Sequence, residues 1–268
     1  MILSVGSGGS IGTAGLAAVA SLVCYGAAAI VSDARQSLSR ATLLCGWALH
    51  AAALLLLGLD GDGLRLGFAL VLSLTVWLVL AVHGVESRLL PLPAVQRVLA
   101  LIGAAAVVLA WGFPGEWRTV PASPWAPLHY VLGVASYGMF GAAVLHAALL
   151  DTAERQMRAH KAAAAGPLGL PLLRLERLTF GFVQAGFAVL SSAVLLGILT
   201  APRWRWDHKT VLSLLGWLVF ALLLAGRWRL GWRGRRATRW VYAGALLLLL
   251  AYAGSRFVFE FVLRRPPG

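Results

Sequence analysis

The sequence predicts an all-α fold: a polytopic integral membrane bundle of about eight transmembrane helices, with both termini outside. Three observations predict it. The first is composition: 60% of the 268 residues are hydrophobic and 12% are charged, with a mean hydropathy of +0.81. A soluble domain carries about 25% charged residues. The second is that several apolar runs reach the ~20 residues that cross a bilayer. The third is that Lys and Arg concentrate in alternate connections between those runs. The whole chain, 1–268, reads as a single membrane domain, with no stretch left over for a sizeable soluble one.

The apolar segments are 10–31, 41–58, 65–84, 96–112, 127–150, 179–199, 210–226 and 238–258. The first follows "MILSVGSGGS", which lacks the basic region of a cleavable signal peptide, so it reads as a retained helix. The second and third hold His50 and His83. Cys24 and Cys45 sit inside the first two runs and form no CxxC, so packing is their default role and thiol chemistry the alternative. The fifth segment opens at Pro127, a residue suited to a helix start. The longest connection, 151–178, begins as a helical extension of the fifth segment. It then meets Gly166-Pro167 and Pro171, which break helices. Connections 32–40, 85–97, 151–178 and 227–239 together hold fifteen Lys and Arg residues. The N-terminus, 59–65, 113–126, 200–209 and the C-terminus from Arg256 onward hold eight. The positive-inside bias assigns the first group to the cytoplasm. The net charge of +13 is then a set of topology-setting loop arginines. The partner it implies is the lipid bilayer and no nucleic acid. The six arginines of "RWRLGWRGRRATR" are expected to meet anionic lipid on the cytoplasmic side.

No phosphate-binding glycine loop, HExxH or GxSxG is present, so no autonomous catalytic motif marks an enzyme. No membrane segment pairs two carboxylates, which leaves proton-coupled transport without support. The six histidines say more. His160 falls in the cytoplasmic loop. His83 and His146 fall near cytoplasmic helix ends, where they can meet the last carbonyls. His50 lies near the middle of the second segment. A titratable group there is costly unless it faces the bundle interior and finds a partner. It is either a neutral histidine bonded to a backbone or hydroxyl oxygen, or a buried metal or heme ligand.

His129 opens the fifth segment and shares a helical face with Gly133, Ser136 and Tyr137. The small residues leave room for a flat ligand, or they let helices approach closely. His208 directly follows Trp204, Trp206 and Asp207. Trp117, Trp125 and Arg118 lie in loops on the same outer side. Such a set suits an amphipathic porphyrin, which stacks on indoles, pairs its propionates with guanidiniums and offers iron to imidazole. Asp207 either takes the other N–H of His208 or neutralises Arg203, Arg205 and Lys209.

Several stretches also carry a resemblance: "WRWDHKTVLSLLGWLVF", then "GWRGRRATRW" and "AYAGSRFVFE", with His129 preceding Ser136-Tyr137 and a faint "VESRL" at 85–89. In these the chain resembles the cytochrome c assembly family, the CcsA/CcmC/ResC heme handlers, and is most similar to their short YpjD/HemX-like branch. The resemblance implies a multi-pass protein of a bacterial inner membrane that binds heme b on its outer, periplasmic half. It implies His129 as first axial ligand; by position in the chain His208, at the same membrane depth, is second choice and His50, deeper in its segment, third. Trp204, Trp206, Asp207, Tyr137 and Trp125 would line the site, and other cytochrome c assembly proteins would be partners. The chain departs from the family pattern in several places: the family's outer tryptophan-rich loop is reduced to about ten residues, and Arg227 or Trp228 stands where the family has a transmembrane histidine. A family DPKE has become DHKT, and "GSRFVFEFVLRRPPG" holds no histidine. These departures argue against covalent heme ligation by this chain alone. They keep open a non-heme scaffold or regulatory subunit of the same fold.

Overall fold

The computed structural model describes residues 10–31, 35–60, 63–88, 92–119, 125–159, 172–200 and 206–254. Among these, eight helices are long and apolar enough to cross a membrane, which makes the chain a multi-pass membrane protein. They are α1 (Ser10–Ile30), α2 (Gln36–Gly58), α3 (Phe68–Glu86), α4 (Pro93–Gly112), α5 (Ala126–Ala159), α6 (Leu172–Thr200), α7 (His208–Leu230) and α8 (Gly234–Leu249). The last continues into a π-helical turn, Leu250–Gly254. Three short strands, absent from the expected elements, pair antiparallel: β1 (Leu59–Asp60), β2 (Gly63–Leu66) and β3 (Glu116–Thr119). Residue contacts gather in two compact units, Met1–Pro121 and Ala122–Gly268.

The strands move one boundary. Arg65 and Leu66, expected in the third helix, belong to β2, and α3 begins at Phe68. The reason is a close backbone approach. A Cβ on Gly67 would lie 2.7 Å from the Cα of Gly115, which itself has a φ of 81°. Only glycines let β2 and β3 meet there. The fifth and sixth helices exceed their apolar runs, reaching Ala159 and starting at Leu172. Good helix formers such as Glu154, Arg155, Gln156 and Met157 carry α5 past the apolar core, as the expected helical extension does. His160, Gly166, Pro167 and Pro171 lie outside the described residues, as does the end of the eighth predicted segment after Gly254.

In the first unit, α1 packs on α2 and α4, and α3 packs on α2 and α4. Tyr25 of α1 is wholly buried. Gly46 of α2 and Gly103 of α4 give its ring a slot. A Cβ at either would lie 2.9 Å or 3.0 Å from the ring. Trp47 of α2 and Trp77 of α3 stack with ring centroids 4.7 Å apart. Each indole N–H donates to the other residue's carbonyl, at 3.1 and 3.0 Å. Without such partners an indole N–H is costly in an apolar medium.

In the second unit, α5 packs on α6 and α8, and α7 packs on α6 and α8. Phe140 and Phe220 stack at 3.9 Å in its core. Polar ties cluster toward the C-terminal half of α5. Asp151 accepts from the hydroxyls of Thr238 and Tyr242 at 2.9 and 3.0 Å. Arg227 donates to Glu176 at 2.7 Å and lays its guanidinium 3.5 Å over the Phe180 ring. Gly231, at φ 64°, closes α7 in the left-handed conformation, as helix ends often require.

Candidate functional site

The start of α5 is held by its own backbone. His129 N–H donates to the Trp125 carbonyl at 3.0 Å, so Trp125 sits in the turn that begins the helix, with its side chain exposed. His129, half-buried, then points at the C-terminal end of α6. Its Nδ1 lies 3.0 Å from the Ala193 carbonyl, so that nitrogen carries the hydrogen and donates. Gly197, one turn further along α6, leaves room for the ring. A Cβ there would lie 3.2 Å from His129 Cε1. Among the described residues Nε2 makes no hydrogen bond. One turn along the same face of α5, a Cβ on Gly133 would meet nothing within 4 Å. Of the two roles expected for the glycine, room for a ligand matches this open side better than close helix packing does.

His129 is thus a fixed imidazole with one nitrogen held by a carbonyl and the other available. Metal-bound histidines are held this way, because the second nitrogen's hydrogen bond sets both tautomer and ring direction. A flat macrocycle taken through a single imidazole fits these residues. For a bare metal ion the described residues offer no cluster of three or more His, Cys, Asp or Glu side chains.

Around His129 the second unit gathers part of the expected set. Lys209, beside His208 at the start of α7, lies within electrostatic range of the His129 ring. Its ammonium sits 5.5 Å from the centre of the Tyr252 ring. Tyr252 in turn meets Tyr137 edge-on, with centroids 6.5 Å apart. Tyr137 is a helix tie. Its hydroxyl donates to the Leu248 carbonyl at 2.8 Å, joining α5 to α8. His208 is the first residue of α7 and is exposed, as is Trp206. Trp204 lies outside the described residues.

Asp207 does something neither expectation named. It is the N-cap of α7, and its carboxylate accepts from the Thr210 N–H at 2.8 Å. An aspartate just before a helix answers one of the four unpaired N–H groups there. Burial raises its carboxyl, but the Thr210 hydrogen bonds and the nearby Lys209 and His208 outweigh that. It therefore titrates below the usual carboxylate range.

His50, in the first unit, is almost fully buried, and both ring nitrogens are engaged. Nδ1 lies 3.1 Å from the Tyr25 hydroxyl and Nε2 lies 2.8 Å from the Ser73 hydroxyl. Of the two roles open to it, this is the hydrogen-bonded one. No ring nitrogen is left for iron. Also in this unit, Trp117 and Arg65 face each other across β2 and β3, the guanidinium 4.3 Å from the indole. His146 does reach a carbonyl, but that of Ala142 at 2.8 Å in mid-helix, because α5 continues to Ala159. Cys24 and Cys45 are free thiols.

Sequence reasoning missed Ala193, Gly197, Lys209 as a neighbour of His129, and Tyr252. A backbone carbonyl such as that of Ala193 leaves no trace in a sequence. Tyr252 does lie in the "AYAG" stretch, a readable signal.

Comparison with known proteins adds the following. A family model described as cytochrome C assembly protein matches residues 36–263. The chain is similar to the inner membrane protein YpjD of Escherichia coli K12, with 31% identity over 211 residues, 76% of this chain and 79% of the relative. It is also similar to the cytochrome c biogenesis protein CcsA of Prochlorococcus marinus (strain MIT 9515), 24% identical over 71% of this chain and 70% of that one. For CcsA of Chlamydomonas reinhardtii the identity is 28%, over 53% of this chain and 41% of the relative. No solved structure matches.

Proposed function

The chain belongs to the cytochrome c assembly protein family, and from that premise we propose that it handles heme b at the outer, periplasmic half of a bacterial inner membrane. The observation that carries this reading is His129: Nδ1 held by Ala193, Nε2 available, and open space beside Gly133 on the same helix face. In this reading His129 is the axial ligand and His208 the second candidate. Trp125, Trp204 and Trp206 supply indole faces, and Lys209 supplies a cation for a propionate. Heme brings the iron and its redox chemistry. The protein would hold it and orient it. It performs no covalent step itself, and other cytochrome c assembly proteins are its partners. Both termini face the periplasm, a reading supported by the arginine-rich connections 151–178 and 227–239.

Heme titration of the purified protein tests this. His129→Ala is expected to abolish or strongly weaken binding, and His208→Ala to move the spectrum toward a five-coordinate form. Replacing Trp204 and Trp206 together should cost about 1–3 kcal/mol, by analogy with aromatic stacking on bases. Parent-like affinity and spectrum in both histidine variants would leave the non-heme scaffold as the reading. One observation favours that alternative: His50, the third candidate ligand, has both nitrogens committed to hydroxyls.

A further inference from the structure

We propose that Tyr137 is a positioning residue: its hydroxyl holds the π-helical turn that follows α8, and that turn seats the Lys209 ammonium beside His129. A π-helical turn is rare and occurs chiefly as a single wide turn within an α-helix, often at functional sites. Here it spans Leu250–Gly254. Its cause lies at Leu248. In a regular α-helix the Leu248 carbonyl receives the Tyr252 N–H. Tyr137, on α5, brings a competing donor, because its O–H donates to that same carbonyl at 2.8 Å. A side chain inserted into the backbone ladder disturbs its regular spacing. From Leu250 the backbone then passes to the wider i→i+5 spacing.

The helix before the turn cannot rotate to compensate. Leu248 is buried and fills the space beside Gly216 of α7, where an added Cβ would lie 2.8 Å from its Cδ2. Each α-helical residue advances about 100° around the axis, so one extra residue in a turn redirects the side chains it carries by up to about that angle. Tyr252, in the middle of the turn, meets Tyr137 edge-on at 6.5 Å and has the Lys209 ammonium 5.5 Å from its ring centre. Lys209 gains from such a seat. It is the second residue of α7, where the positive end of the helix dipole disfavours a cation. An aromatic face within about 6 Å attracts one. Asp207 is within electrostatic range of Lys209 too, but both belong to the start of α7, whereas Tyr252 ties the ammonium to the end of α8. That tie sets the charge at the candidate site, because Lys209 lies within electrostatic range of the His129 ring. On the proposed heme reading, on which this last step rests, a cation held there favours the reduced, less positive iron.

The chain holds two lysines, Lys161 and Lys209. Lysine-selective carbon-13 labelling of the full, heme-free chain in detergent therefore gives two ε-methylene signals, and Lys209→Arg assigns them. The parent's Lys209 signal should lie upfield of its position in Tyr252→Leu, as a group over a ring face does. Tyr137→Phe keeps the ring and removes only the hydroxyl. It should move the signal to the Tyr252→Leu position, and adding it to Tyr252→Leu should change nothing more. Amide protection at Thr210 should stay at the parent level in both variants. Its loss in Tyr137→Phe would make the shift a general loosening of α7 and overturn the proposal, as would a Lys209 signal that responds to neither substitution or to Tyr252→Leu alone. Should Tyr137→Phe not fold, Tyr252→Leu still tests the seat, and a parent-like signal there refutes it. With heme bound, both variants should show a lower midpoint potential than the parent, and an unchanged potential beside a moved signal would overturn the electrostatic step. A chain that binds no heme would refute the function proposed above and leave the lysine result standing.

Discussion

Asp207 shows how one residue can be read two ways and settle on a third. It sits beside a histidine and among three cations, yet its carboxylate caps α7 through the Thr210 N–H. Asp207→Ala should therefore loosen the first turn of α7 by about 1 kcal/mol, while Asp207→Asn, also a good cap, should not. Amide exchange at Thr210 measures both, and equal protection in parent and Ala variant would refute the capping role. The pH dependence has a definite sign. The folded carboxyl titrates below its ordinary value, so the cap's contribution is fully present above the ordinary carboxylate range. It is lost only as pH falls through the lowered folded value. Protection at Thr210, exchange taken relative to the intrinsic rate at each pH, should thus stay flat from neutral pH down to about pH 5 and fall in strong acid. Part of the candidate site was legible at this scale. A histidine followed by glycine at helical spacing marks one face of α5. The carbonyl of Ala193 and the cap geometry of Asp207 were not legible, since both are backbone events fixed by where α6 ends and α7 begins.

At the scale of elements, apolar runs of about twenty residues located all eight helices, because a bilayer leaves the backbone no other way to satisfy itself. The polar extensions of α5 and α6 were partly legible, since helix propensity continues where hydropathy stops. The three strands were not, because they rest on Gly67 passing Gly115 across 48 residues of sequence, which no local pattern records. The long α5 also gives a test of orientation. It carries Trp125 and His129 at one end and Arg155 at the other. If the arginine-rich connections are cytoplasmic, a phosphatase reporter fused after Ala159 should be inactive and one fused after Thr119 active. The reverse pattern would invert the assigned topology and move His129 to the cytoplasmic half.

Across the whole molecule, the two compact units treat His50 and His129 differently. The first unit encloses His50 between Tyr25 and Ser73, which uses the imidazole to hold helices together. The second fixes His129 by one nitrogen and leaves the other available. Family membership makes heme the ligand to test, and on the proposed reading this contrast points to one side chain. The central claim is that iron binds His129 Nε2, and ligand replacement tests it most directly. The heme-loaded parent should show a Soret band that shifts on reduction. His129→Gly should lose that band, and added imidazole, filling the vacated ring position against Ala193 and Gly197, should restore it. A His129→Gly protein that keeps the parent's band and affinity without imidazole would contradict the account.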